Sequence, residues 1–265
     1  NFTKNCLKEL EKSEVIKIAQ ETLRTEARSL DEAAEKIGEV FFQALQLISN
    51  CKGRIVVTGI GKSANIANKI VATFNSTGTP SVFMHAAEAL HGDLGLMLKD
   101  DVVLCISNSG NSSEIKILIP FIKSKGNKII AIVGNSKSFL AENSDFVLDS
   151  FVAKEAYPTI AAPTCSTTVQ LGIGDALAVS LIHLKAFTNE DFVKYHPGGS
   201  IGKKLSLKVS ELAKNNQKPS VGITATLQEI IYEISSKRIG GTAVCEGSKV
   251  IGIITDGDIR RMLER

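Results

Sequence analysis

Five short apolar segments alternate with stretches of helical periodicity in the first part of this 265-residue chain. They are Ile55–Thr58, Ser81–Met84, Val102–Ser107, Lys128–Val133 and Phe146–Leu148. Apolar runs of this length are typical of buried strands, and strand–helix alternation favours parallel strands joined by right-handed crossovers. We therefore expect an α/β fold with a doubly wound five-stranded parallel sheet. Ligands of such sheets bind beyond the carboxyl ends of the strands.

The first fifty residues predict two helices that pack on this sheet. Val15, Ile18 and Leu23 share one face of the first helix. A second apolar face runs from Ala33 to Ile48 and has Gly38 inside it. Spacings of three and four residues place each set on one side of a helix.

Composition excludes several classes of protein. The chain has 31 Lys and Arg against 28 Asp and Glu, a balance that gives no support for nucleic-acid binding. No apolar run approaches the ~20 residues of a membrane span, and the N-terminus lacks a signal-peptide pattern. The five cysteines are scattered without metal-ligand spacing, as in a reduced protein. We expect a cytoplasmic enzyme with no nucleic-acid or membrane partner.

A polar turn rich in serine follows the strand Val102–Ser107 and leads into a helix. The first N–H groups of a helix lack partners, and the positive end of its dipole points at the turn, so the turn can bind an anion. The hydroxyls of four serines could add donors around a phosphate: Ser107, Ser109, Ser112 and Ser113. The alternative is an ordinary helix start, with Asn111 as N-cap and Glu114 completing a capping box.

A glycine-rich turn, Thr58–Ala64, opens the helix after the first strand. A Walker A loop would need glycine where Val56 stands, and a dinucleotide site would need an acidic residue where His85 stands. The pattern still indicates a close approach of the backbone to a ligand near Gly61, with Lys62 placed to reach an anion.

Further polar groups are expected at the same edge of the sheet. His85 follows the second strand and either ligates a metal or satisfies backbone groups. His196 ends a helix in a Pro-Gly-Gly turn, whereas His183 lies within an apolar helix. Glu155 precedes another hydroxyl-rich helix start, Thr164–Thr168.

Taken in order, these segments resemble the sugar isomerase (SIS) domain family and, within it, the arabinose 5-phosphate isomerases. The segments that carry the resemblance are Gly61–Ser63, His85, Ala89–Gly95, Ser107–Gly110, Ala162–Thr164, Gly174–Ala178 and His196–Gly199. The resemblance implies interconversion of D-ribulose 5-phosphate and D-arabinose 5-phosphate, which supplies the Kdo sugar of lipopolysaccharide and some capsules. It also implies boundaries at 1–50 for the N-terminal helices, 51–207 for the SIS domain and 208–265 for a CBS motif.

The resemblance also implies roles for individual residues. Those with catalytic roles are Lys62, Glu114, Glu155 and His196. Those that bind the substrate are Gly61, Ser63, His91, Ser107, Asn108, Ser109, Ser112, Thr164 and Ser166. Lys62 would offset oxyanion charge, and Glu155 or His196 is favoured over Glu114 for proton transfer. Asn111 stands where the family often has glutamate, and it carries no catalytic role here.

No organic cofactor is required on this interpretation, and zinc at His85 would inhibit or order the site without catalysing. The resemblance implies a homotetramer whose active sites borrow a residue from a neighbour, for which His196 is the candidate. The rival interpretations are another SIS phosphosugar isomerase and a phosphosugar-binding regulator of transcription. A regulator would normally bring a helix-turn-helix domain and a basic face.

The C-terminal segment is similar to a CBS motif. It combines a helix from Ala225, a strand at Gly241–Cys245 and a strand from Lys249 that ends in Thr255 and Asp256. This Thr–Asp pair implies contact with the ribose of a nucleotide or nucleotide-sugar. Since CBS motifs work in pairs, the one motif here predicts a partial C-terminal CBS module.

Overall fold

The structure is a computed structural model that describes residues 11–160, 162–196, 209–214 and 216–264. The chain divides into two compact units, Asn1–Pro197 and Gly198–Arg265. Pro197, Gly198 and Gly199 of the predicted turn lie outside the described residues, as does the predicted boundary at position 207.

A five-stranded sheet forms the centre of the first unit, in the order β2-β1-β3-β4-β5, and every neighbouring pair is parallel. The strands are β1 (Ile55–Gly59), β2 (Ser81–His85), β3 (Val102–Ser107), β4 (Lys128–Val133) and β5 (Phe146–Asp149). The predicted sheet is therefore confirmed, and β1, β2 and β5 each extend one residue further. Strand β2 lies next to β1 on one side within the sheet, and the chain then crosses over to form β3 on the other side of β1. This reversal opens a crevice at the carboxyl ends of β1 and β3, where ligands of such sheets bind.

Helices cover both faces of the sheet. They are α1 (Lys12–Ala34), α2 (Glu39–Ser49), α3 (Lys62–Ser76), α4 (Ala86–Ala89), α5 (Ser113–Ser124), α6 (Phe139–Glu142), α7 (Cys165–Leu184) and α8 (Asn189–Tyr195). Ile55 and Val57 point into a core with residues of α1, α2, α3 and α7. Val56 points into a second core with α4, α5 and α6. Successive side chains of a strand alternate between faces, so β1 contributes to both cores.

The N-terminal helices differ from the prediction at Gly38. The prediction placed Gly38 inside a helix, which is wrong, because α1 ends at Ala34 and Gly38 is the extended N-cap of α2. A glycine in a helix interior costs ~1 kcal/mol relative to alanine, so a break is favoured there. Val15, Ile18 and Leu23 are exposed within this chain, although they share a face as predicted.

Helix α7 is the one helix among the described residues that is long and apolar enough to cross a membrane. No such segment was expected from the sequence. Half of the apolar stretch of α7 is buried inside the protein, because α7 packs on α1, α2 and α3 as a core helix of this unit. His183 lies in the last turn of α7, as its place in an apolar helix predicts, and its side chain is exposed.

The second unit contains α9 (Val209–Lys214), β6 (Ser220–Gly222), α10 (Leu227–Lys237), β7 (Gly241–Glu246), β8 (Lys249–Thr255) and α11 (Asp256–Leu263). Its sheet has the order β6-β7-β8, with β6 parallel and β8 antiparallel to β7. Val250, Ile251 and Ile253 of β8 are exposed. The predicted helix and strands are therefore confirmed, and β8 leaves apolar side chains uncovered by the described residues of this chain.

Candidate functional site

Two glycines bring helix α3 to the crevice at the sheet switch point. A Cβ on Gly59 would meet the Ile106 carbonyl oxygen at 3.0 Å and the Ser63 backbone at 3.1 Å, so only glycine allows this approach. Gly61 has φ +59° and ψ −128°, a conformation that L residues rarely adopt. Lys62 follows as the first residue of α3, and its side chain is exposed. The turn thus presents an ammonium group at the carboxyl edge of the sheet.

The serine-rich turn after β3 separates into buried and exposed parts. Ser107 is buried, and its Oγ accepts a hydrogen bond from the Gly110 N–H at 3.0 Å. Asn108 and Ser109 are exposed, and the Ser109 Oγ accepts from the Asn111 N–H at 3.3 Å. Ser107 therefore closes the turn from inside, while Asn108 and Ser109 lie on its exposed part.

The capping box that the alternative interpretation places at α5 is not formed, because Ser112 is the N-cap and not Asn111. No side chain caps the helix, and Glu114 accepts from the Ser113 hydroxyl at 3.1 Å. The Oγ of Ser112 is buried and has no hydrogen-bond partner among the described residues. The first N–H groups of α5 thus have no side-chain cap, as anion binding at this turn requires.

The first turn of α6 holds the serine turn in place. The Oδ1 of Asn111 accepts from the Phe139 N–H at 3.1 Å, and the Gly110 carbonyl accepts from the Leu140 N–H at 3.0 Å. Gly110 has φ +64°, and a Cβ there would lie 2.1 Å from the Ser138 Oγ. Asn111 is therefore a support of this turn that was not predicted from the sequence. Its only sequence signal is its place beside the glycine.

Glu155 occupies the N-terminus of α7. Its Oε2 accepts from the Thr164 N–H at 2.8 Å, from the Thr164 hydroxyl at 3.0 Å and from the Ser166 N–H at 3.2 Å. Burial acts to raise the pKa of Glu155, but hydrogen bonds from Ser166 and Thr164 outweigh it and lower the pKa. The Thr164 N–H, the Thr164 hydroxyl and the Ser166 N–H are therefore bonded to a carboxylate of the same chain, and substrate binding by Thr164 and Ser166 stays a prediction.

Ser63 also has an internal partner. It is buried in the first turn of α3, and its hydroxyl donates to the Oε1 of Gln170 at 3.1 Å. Gln170 is fully buried in α7. This bond joins the helix that begins at Lys62 to the helix whose N-terminus holds Glu155. It also occupies the Ser63 hydroxyl that was predicted to bind substrate.

The two histidines after β2 lie in different surroundings. His85 is the last residue of β2, pairs with Gly59 and packs edge-on against Phe83 with centroids 6.2 Å apart. Its buried Nδ1 has no partner in the described part of the chain. His91 is exposed, in the turn after α4.

The residues around His85 do not fit a stable zinc site. Zinc in proteins is usually held by three or four His, Cys or carboxylate ligands. Within residues 11–160, 162–196, 209–214 and 216–264, no group of three or more such side chains could hold a metal ion. His85 alone therefore offers one nitrogen and lacks partner ligands.

His196 is engaged within α8, whose C-cap it forms. Its ring stacks on Phe192 with centroids 3.9 Å apart, and its Nδ1 lies 3.0 Å from the Phe192 carbonyl oxygen. Within this chain the imidazole is therefore oriented by α8. The donors and carboxylate at α7 do not hold it.

Thr255 and Asp256 lie in the second unit and start α11. The Thr255 hydroxyl donates to Asp258 at 2.7 Å, and the Asp258 N–H donates back to it at 3.3 Å, which completes a capping box. A cleft of about 780 Å³ lies in the same unit, lined by residues that include Ser220, Thr226 and Tyr232.

Comparison with known proteins identifies both units. Residues 47–180 match the SIS domain, and residues 209–265 match the CBS domain. Arabinose 5-phosphate isomerase KdsD of Francisella tularensis is 48% identical over 250 residues, covering 93% of this chain and 76% of that protein. Its Escherichia coli K12 counterpart is 46% identical over 247 residues, covering 92% and 75%. An Escherichia coli CFT073 structure in complex with arabinose 5-phosphate is 41% identical, with a TM-score of 0.69, and covers 71% of this chain and 100% of that chain.

Proposed function

The chain belongs to the arabinose 5-phosphate isomerase family of SIS-domain proteins, and from this premise we propose that it interconverts D-ribulose 5-phosphate and D-arabinose 5-phosphate. The observation that carries the proposal is the identity of 46–48% to isomerases of that name over more than nine-tenths of the chain. The crevice at the ends of β1 and β3 supports it, because it combines an anion site, a cation and a fixed carboxylate.

The phosphate group is bound at the serine turn. Ser109 and Asn108 are exposed there, and the start of α5 has a buried Ser112 hydroxyl without a partner among the described residues. The unpaired N–H groups and the dipole of α5 favour a dianion at this position. Because Glu155 already holds the donors at the start of α7, one phosphate site is assigned, at α5.

Lys62 stabilises the charge that develops on the sugar oxygens. Isomerisation moves a proton between C2 and C1, and the intermediate is an enediolate with negative charge on oxygen. Lys62 starts α3 beside the positive-φ turn at Gly61, so the fold sets the point from which its side chain extends. A cation placed where charge develops lowers the barrier of the reaction.

Glu155 takes the proton from the sugar carbon and returns it to the adjacent one. All the hydrogen bonds given above go to its Oε2, which leaves Oε1 for the substrate. The lowered pKa keeps the carboxylate ionised at neutral pH, as a base requires. Glu114 lies beside the phosphate site and is assigned a supporting role there.

The assembly is a homotetramer in which His196 reaches the active site of a neighbouring subunit. This proposal is supported by the exposed apolar side chains of α1, among them Val15, Ile18 and Leu23. It is also supported by the position of His196 at the end of α8, where α8 itself orients the ring. The product supplies Kdo for lipopolysaccharide or capsule, and the second unit binds a nucleotide or nucleotide-sugar through Thr255 and Asp256.

The test is direct assay of the purified protein with ribulose 5-phosphate and no added cofactor. We expect arabinose 5-phosphate to accumulate until aldose and ketose reach equilibrium, and the reverse reaction to proceed from arabinose 5-phosphate. Turnover of six-carbon ketose phosphates alone would assign the chain to another SIS isomerase. Tight phosphosugar binding without turnover would favour the regulator.

A further inference from the structure

A buried amide stands out in the core helix α7. Gln170 is fully buried in its second turn, between Val169 and Ile173, which belong to the apolar core. Its Oε1 accepts the Ser63 hydroxyl at 3.1 Å, while its Nε2 has no partner among the described residues. Burying an amide with an unmade hydrogen bond costs stability, and an apolar residue of similar volume would avoid that cost. The residue therefore needs an explanation beyond packing.

The contacts of Gln170 lead to both groups of the proposed proton transfer. On one side, Ser63 directly follows Lys62 in the first turn of α3. On the other side, Ser166 lies one helical turn before Gln170, and its N–H donates to the Glu155 carboxylate at 3.2 Å. The Ser63–Gln170 bond joins two buried side chains, and the Ser166–Glu155 bond is part-buried. The bond between Ser63 and Gln170 thus links α3 to α7 next to Lys62, whereas the exposed Lys69–Asp175 pair links the same helices further along.

We propose that Gln170 is a positioning residue that fixes Lys62 relative to Glu155, an inference that rests on the proposed isomerase function. Proton transfer by Glu155 and oxyanion stabilisation by Lys62 act on adjacent atoms of one substrate. The distance between the carboxylate and the ammonium group must therefore stay constant within a fraction of an ångström. A misplacement of ~1 Å in an active site can cost ~10²-fold in rate. The bond acts between the two helices and does not touch the substrate.

The test compares Gln170→Leu, Ser63→Ala and the double variant by steady-state kinetics in both directions of the isomerisation. We expect kcat to fall roughly 10-fold or more in each single variant, with KM for the phosphosugar within about two-fold of wild type. Because both changes break the same bond, the double variant should lose no more than the worse single variant. Val169→Ala is the matched control, since it opens α7 packing at the neighbouring position and should lower Tm while keeping kcat.

The pH dependence of the activity of Gln170→Glu separates positioning from packing, because a purely structural role of Gln170 would not make the loss of activity depend on pH. A buried carboxyl has a raised pKa, and its neutral form resembles the amide in shape and charge, whereas its ionised form places an unpaired charge between α3 and α7. We expect the activity of this variant relative to wild type to rise as the pH falls.

The inference is overturned if kcat stays within two-fold of wild type in Gln170→Leu and Ser63→Ala, if their losses multiply, or if Val169→Ala lowers kcat equally. Absence of isomerisation in the wild-type protein would overturn the proposed function instead. Should Gln170→Leu fail to fold, Ser63→Ala and Gln170→Glu decide the question.

Discussion

The Glu155 carboxylate accepts both the backbone N–H and the hydroxyl of Thr164, at 2.8 and 3.0 Å. The N-terminus of a long helix attracts anions, and here the anion is a side chain of the same chain. One carboxylate oxygen is therefore used to fix the group, and the other remains for chemistry.

Replacing Lys62 with alanine should lower kcat by about 10²-fold, the usual effect of removing one group that stabilises an oxyanion. KM should change less, because the phosphate is bound elsewhere. Steady-state assay of ribulose 5-phosphate isomerisation measures both constants. Lys69→Ala is the control, since Lys69 lies on the same helix in an ion pair with Asp175 and should leave kcat unchanged. Unaltered kinetics of Lys62→Ala would remove this lysine from the mechanism.

Replacing Ser109 with alanine should raise KM more than it lowers kcat, because this exposed hydroxyl is assigned to the phosphate and not to the reacting carbons. The loss of one hydrogen bond to a charged group corresponds to about 10-fold in affinity. Inhibition by inorganic phosphate should weaken in parallel. Ser124→Ala, at the opposite end of α5, serves as the control. An effect confined to kcat would place Ser109 at the reacting centre.

The stability of the protein should depend on Glu155 in a defined pH range. Its pKa is lowered in the folded state, so its stabilising contribution is complete above the ordinary value of 4.5 and is lost as pH falls through the folded-state value. Glu155→Gln should have a lower Tm than wild type at pH 7, and the gap should narrow below pH 4.5. Thermal unfolding at several pH values measures this. A gap that stays constant down to acid pH would contradict the assignment.

Treatment with a chelator should leave isomerase activity intact, because the described residues around His85 do not provide the ligand set of a stable zinc site. Added zinc should inhibit, and His85→Ala should reduce that inhibition. Activity is measured before and after dialysis against the chelator, with metal content determined on the same samples. Loss of activity on chelation, with recovery on adding zinc, would contradict this prediction.

Mixing inactive His196→Ala subunits with inactive Lys62→Ala subunits should restore part of the activity, provided that His196 serves a neighbouring site. With random exchange, roughly a quarter of the sites would contain both intact groups. Subunit exchange is verified independently by mass spectrometry of differently tagged chains. If exchange occurs and no activity returns, His196 acts within its own subunit.

The sheet was predictable because buried parallel strands are continuous apolar runs, and the runs ending at Ser107 and Val133 match the strands residue for residue. The site was predictable only as a set of loops at strand ends. Glu155 meets Thr164 across nine residues, Asn111 meets Phe139 across 28 and Ser63 meets Gln170 across 107. The pairing of donors and acceptors over such separations depends on how the helices pack. The local spacing of residues in the sequence does not predict this pairing.

Local capping signals also proved ambiguous for the same physical reason. Asn111 and Glu114 have the spacing of a capping box, yet Asn111 instead accepts from the Phe139 N–H at the start of α6. A tertiary hydrogen bond competes with the local one for the same amide oxygen. Capping boxes do form at other helices, among them the one of Thr255 and Asp258 at α11.

The bonds from Phe139 and Leu140 to the serine turn mean that the turn has its binding shape before any ligand arrives. Ordering a free loop costs ~1–2 kcal/mol for each residue, and a turn already held from behind avoids much of that loss. On the proposed function, phosphate affinity then depends on the serine turn and on the start of α6, two segments that are distant in sequence. Changes that displace the start of α6 should therefore weaken phosphosugar binding, as changes in the serines themselves should.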